Sequence, residues 1–108
     1  MICRIWHGWT THANADAYER LLREEVFVGI EGRRIAGFHG IELLRRTLTD
    51  EVEFQTMMWF DSLDAVRTFA GAAYEEAVVP PAARAILARF DARSAHYDVR
   101  IPRTSVIP

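Results

Sequence analysis

The sequence predicts an α+β domain, one antiparallel sheet with helices packed on one face. Three observations predict it. The 108 residues are enough for one core and too few for two. The hydrophobic pattern runs strand, helix, strand, strand, helices, strand. The third strand is apolar on both parities, so its sheet is covered on both faces.

Ile2 to Trp9 is rich in β-branched and aromatic residues and reads as the first strand. One parity carries Ile2, Arg4 and Trp6; the other carries Cys3, Ile5, His7 and Trp9. Thr11 suits a helix N-cap, and Asp16 suits the positive end of the helix dipole. A helix over residues 12–27 follows, with Gly29 and Gly32 closing it. Its apolar stripe is Tyr18, Leu21, Leu22 and Val26, and at about 100° per residue Glu25 falls on that stripe.

Residues 38–46 and 52–60 read as two strands joined at Thr49-Asp50, a hairpin. Asp61 or Ser62 caps a short helix with Val66, Phe69 and Ala70 inward and Gly71 as its stop. Residues 74–79 have no clear periodicity. Pro81 opens a helix through Phe90, whose buried side is Ile86, Leu87 and Phe90. Residues 96–101 alternate as a last strand, and 102–108 form a Pro-bounded tail. The order is the split βαβ pattern of a ferredoxin-like domain, a single unit over 1–108 with its core in about 2–101. No element is left over to cover the second sheet face. A two-fold homodimer, sheet against sheet, is the economical cover.

Composition excludes several functions. The net charge is −2, so no basic field draws nucleic acid or an anionic membrane. All 13 cationic residues are Arg, which excludes a Lys Schiff base and a Lys-held phosphate loop. Cys3 is the lone thiol, so there is no internal disulfide and no thiolate metal cluster. No run approaches the ~20 apolar residues of a membrane span, and the N-terminus lacks the regions of a signal peptide. A cytoplasmic protein is the expectation. Four His without ligand spacing give no metal site, and no dinucleotide fingerprint or nucleophile elbow occurs, so no cofactor is expected.

The runs Arg4-Ile-Trp-His-Gly-Trp-Thr-Thr, Tyr18-Glu-Arg-Leu-Leu-Arg-Glu-Glu-Val, Gly40-Ile-Glu-Leu-Leu-Arg-Arg and Trp59-Phe-Asp-Ser-Leu-Asp-Ala-Val-Arg-Thr-Phe-Ala-Gly resemble antibiotic biosynthesis monooxygenase domains. So does the closing His96-Tyr-Asp-Val, and the likeness spans about residues 2–101. It implies a dimeric α/β barrel with a ligand pocket between sheet and helices. It also implies oxygenation of an aromatic, quinol-like small molecule without a cofactor. The haem-degrading relatives' Asn, Trp and His fall on Ile5 or Trp6, Phe69, and Val78 or Val79, so that chemistry does not carry over. Of the quinol-oxygenating set of Asn, Trp and Tyr, only Tyr74 has a counterpart.

The candidate catalytic residues are His7, Glu25 and Tyr74. His7 can take a phenolic proton, or be a core His bonded to a backbone carbonyl. Glu25, on an apolar stripe, can hold His7 or reach Arg33 or Arg34. Tyr74 can lid the pocket, or simply pack with its hydroxyl in water. Trp9, Trp59, Phe69 and His39 are the candidate substrate contacts, against plain core packing. The other functional class is a non-catalytic ligand-binding or stress-response dimer with the same cavity. A His7–Glu25 pair facing an open pocket favours the enzyme.

Overall fold

The computed structural model describes residues 1–104. The order is β1 (Ile2–Thr10), α1 (Ala15–Leu21), a π-helical turn (Leu22–Val26), α2 (Phe27–Gly32), β2 (Phe38–Thr47) and β3 (Val52–Phe60). It continues with α3 (Leu63–Ala70), α4 (Pro81–Ile86), β4 (Arg89–Phe90) and β5 (Ala95–Asp98). The strands form one antiparallel sheet in the order β2-β3-β1, and both β4 and β5 line the outer edge of β1. This is the α+β, ferredoxin-like arrangement that the pattern predicts.

Register assigns the two sheet faces. Ile2, Arg4, Trp6, Gly8 and Thr10 stand opposite Phe60, Met58, Thr56, Phe54 and Val52. Those β3 residues include the buried core under the helices, where Val66 and Phe69 of α3 meet Phe60, and Tyr18 and Leu22 meet Phe54. Gly8 is required by a close approach. A Cβ there would lie 2.9 Å from Leu87 Cδ2 and 3.0 Å from the Trp6 ring. The opposite parity, with Cys3, Ile5, His7 and Trp9 paired to Trp59, Met57, Gln55 and Glu53, forms the outer face.

Several helix and strand ends differ from the sequence expectation. The first helix begins at Ala15, because residues 12–14 make a turn in which the Thr11 hydroxyl accepts from Asn14 N–H at 3.2 Å. It runs on through both glycines to Gly32, past the expected stop. The fourth helix ends at Ile86, not Phe90. The edge of β1 needs partners, and residues 88–91 supply them: Ala88 N–H donates to Trp9 C=O at 2.8 Å and Asp91 N–H to His7 C=O at 2.9 Å. For the same reason the last strand is Ala95–Asp98, its Arg4↔His96 and Cys3↔Tyr97 pairs closing the other half of that edge. Pro102–Thr104 has no regular structure, and the rest of the expected tail lies outside the described residues.

The second helix of the reading holds. The Ser62 hydroxyl accepts from Ala65 N–H at 3.2 Å, and Gly71 ends the helix with φ of 93°. Arg33 donates to the Thr68 and Phe69 carbonyls at 3.1 Å each, satisfying the end of that helix.

Candidate ligand pocket

A cavity of about 60 Å³ lies between the helix-side face of the sheet and the helices. Trp6, Phe27, Met58 and Phe69 are among its walls, and Val78–Pro80 of the strap between α3 and α4 lines one side. Its polar groups are Arg4 and the hydroxyl residues Tyr18, Thr56 and Ser94. Burial pushes the Tyr18 phenol up, so it stays neutral at physiological pH. No carboxylate and no imidazole lines the cavity among the described residues.

Arg4 is the unusual group. It sits on the face that becomes buried by strand alternation, and only 4% of it is exposed. Its Nη1 donates to the Tyr74 carbonyl and, at 3.0 Å, to His96 Nε2; its Nη2 donates to the Glu76 carbonyl at 3.2 Å. Its guanidinium carbon lies 5.5 Å from the Phe69 ring centroid. Burial lowers its pKa to about 10, so it remains a cation at neutral pH. No Asp or Glu forms a salt bridge with it among the described residues. Arg4 thus ties the strap to the sheet while keeping an unbalanced charge beside an apolar cavity.

His96 completes this node. Arg has no acceptor, so His96 Nε2 accepts and the imidazole is the neutral Nδ1–H tautomer. Burial, and secondly the Arg4 charge, lower its pKa, while Glu75 opposes the shift. The unfolded chain therefore binds a proton on His96 more readily than the folded chain does. This contribution to stability is complete above the ordinary His pKa and is lost as pH falls below it. Urea denaturation at pH 7.5 and 5.5 is expected to show lower stability at pH 5.5. His96→Gln is expected to reduce that difference; an unchanged difference refutes the assignment to His96.

The sequence candidates are not brought together. His7 faces away from the cavity, on the outer sheet face. Its Nδ1 lies 2.8 Å from Asp91 Oδ2, an oxygen that also accepts from the His7 backbone N–H at 3.1 Å. Glu25 is exposed and does not meet His7. The cause is the π turn, in which Phe27 N–H donates to the Leu22 carbonyl, five residues back. The inserted residue changes the phase of the stripe, so Phe27 and not Glu25 reaches the cavity.

Trp9 and Trp59 lie on the outer face with His7 and do not line the cavity. His39 is exposed at the β2 bulge and pairs with Asp61. Tyr74 meets the site through its backbone carbonyl, while its ring packs edge-on against His96 at 5.1 Å. Phe69 does line the cavity. So do Trp6, Val78 and Val79. Reasoning on the sequence passed over Arg4. The available signal was an Arg between Ile2 and Trp6 on one strand parity, a charge where a core residue was due.

Cys3 is buried, and burial, then the nearby Glu42, raise its thiol pKa, so it is no thiolate nucleophile. Among the described residues no group of three or more His, Cys, Asp or Glu is arranged to hold a metal, and no helix is long and apolar enough to cross a membrane.

No protein-family model and no curated protein matches the sequence. Among solved structures, the fold is similar to that of a Bacillus cereus protein provisionally assigned as an antibiotic biosynthesis monooxygenase. The TM-score is 0.67 at 12% identity, over 96% of this chain and 97% of that one. The resemblance read from the sequence therefore holds at the level of fold.

Proposed function

We propose that this protein is a small cofactor-independent monooxygenase that acts on an aromatic, quinol-like molecule in the Arg4 pocket. One observation carries the reading: an apolar, aromatic-walled cavity whose single charge, among the described residues, is a buried, uncompensated guanidinium. The cavity has no general base among the described residues, so the His7 role is replaced by electrostatics. A cation in a water-poor site favours ionisation of a bound phenol, and the electron-rich anion reduces oxygen. Overall, a quinol and O₂ give a hydroxyquinone and water; one oxygen atom enters the ring and the other leaves as water. The apolar walls exclude solvent from the intermediate.

A benzene-sized ligand needs a cavity of roughly 150 Å³. A ring therefore enters by displacing the Val78–Pro80 side, which belongs to no helix or strand. Oxygen uptake with a panel of hydroquinones and catechols is expected to exceed autoxidation. The missing base favours a second reading, a non-catalytic ligand-binding dimer. Ligand binding without oxygen uptake across that panel would establish it over the first.

The protein works, in this proposal, as a cytoplasmic homodimer. The outer sheet face presents Ile5, Trp9, Met57, Trp59 and Leu44, with Tyr97 56% exposed beside them. Such a face is suited to burial against its own copy. Light scattering is expected to give about twice the 12.4 kDa chain mass. A monodisperse species of 12.4 kDa at micromolar concentration would refute the sheet-to-sheet dimer.

A further inference from the structure

We propose that the occupant of the Arg4 pocket is an organic carboxylate, whose two oxygens take the N–H groups that Arg4 leaves unclaimed. This rests on the placement of the ligand argued above, but not on oxygen reacting there.

A guanidinium carries five N–H donors. Nη1 spends both of its donors on the Tyr74 carbonyl and His96 Nε2, and Nη2 spends one on the Glu76 carbonyl. Among the described residues two remain, on Nε and Nη2. We assign the Glu76 bond to the Nη2 hydrogen that points away from Nε; the Nε and Nη2 hydrogens on their shared edge then match the two oxygens of a carboxylate. A neutral alcohol offers one oxygen and leaves a donor unused.

Charge points the same way. A buried cation without a counterion is costly, and an anion that brings one negative charge removes the cost. Among the described residues the site has one positive charge, because His96 is neutral while it accepts from Arg4. A single carboxylate balances it and a phosphate dianion overfills it. The rest of the pocket, with Trp6, Ile41, Phe69 and Val79, suits an apolar body attached to that carboxylate. The hydroxyls of Tyr18, Thr56 and Ser94 are the remaining polar groups available to its other substituents.

Isothermal titration under nitrogen tests this with two matched pairs, benzoate against benzamide and propionate against propionamide, and with inorganic phosphate. The smaller pair needs little widening of the cavity. At least one carboxylate is expected to bind about ten- to a hundredfold more tightly than its amide, the range of one charge-assisted contact. Phosphate is expected to bind more weakly than that carboxylate. Arg4→Met is expected to abolish the preference; if it fails to fold, the wild-type ratios decide alone. Equal binding of both carboxylates and their amides, no binding of either carboxylate at millimolar concentration, or tighter binding of phosphate overturns the proposal. Because oxygen is absent, a failed oxygenation reading leaves this result standing. Loss of the carboxylate preference leaves oxygen uptake with neutral quinols open to its own test.

Discussion

Phe60→Ala is expected to lower the unfolding free energy by about 3–5 kcal/mol. Phe60 is 0% exposed and stands where β1, β2, β3 and α3 converge. Its ring lies 5.4 Å from that of Phe38 and 5.9 Å from that of Phe69, so truncation strips packing from a strand neighbour and from the helix together. The sheet backbone is held by ladders on both sides of β3 and cannot collapse into the hole. Phe69→Ala removes a ring of equal size from a residue that borders the cavity. Its neighbours there already lack part of their contacts, so its cost is expected at the lower end of the same range. Urea denaturation at a fixed protein concentration measures both, since a dimer's stability depends on concentration. A Phe60→Ala loss below about 1 kcal/mol would mean that the core repacks, against the rigid ladder described here.

The architecture was legible because each element carries a local signal that its tertiary setting reinforces. Ser62 and Gly71 bracket α3 as cap chemistry demands, and Thr49-Asp50 marks the turn of a hairpin whose strands pair along their length except at the His39 bulge. The two parities of β1 and β3 were equally visible. Which parity faces the helices was not, because both are largely apolar, and a one-residue change in assignment exchanges every side chain. That exchange put His7, Trp9 and Trp59 in the pocket in place of Arg4 and Trp6. Glu25 was misplaced for a different reason. A stripe computed at a constant 3.6 residues per turn has no place for the π turn at Leu22–Val26. The inward placement of Phe69 was legible because α3 is short, regular and capped at both ends. The Arg4–His96 pair needed the register of β5 against β1, two segments about ninety residues apart, and nothing local encodes that register.

Arg4→Met is expected to lower turnover of any quinol that the wild type oxidises by about 10²–10³-fold, the weight of one preorganised charge donor in a dry site. His7→Ala is expected to leave it within about twofold, since His7 points to the other sheet face. The two substitutions oppose the residue that sequence motifs favour to the one that the fold buries. Stability must be measured beside turnover, because Arg4→Met also removes the donors to the Tyr74 and Glu76 carbonyls. Each orphaned carbonyl costs about 1–3 kcal/mol, while deleting an unpaired buried charge offsets part of that. Arg4→Lys separates the two effects. It keeps the charge and loses the planar fork, so it should retain more turnover than Arg4→Met if charge acts on the bound anion. Oxygen consumption at saturating substrate gives kcat, and the concentration series gives KM. A fall in kcat locates Arg4 in the reacting complex, and a rise in KM alone makes it a binding group. A His7→Ala loss as large as that of Arg4→Met would return the chemistry to the outer face, where His7 and Asp91 lie 2.8 Å apart.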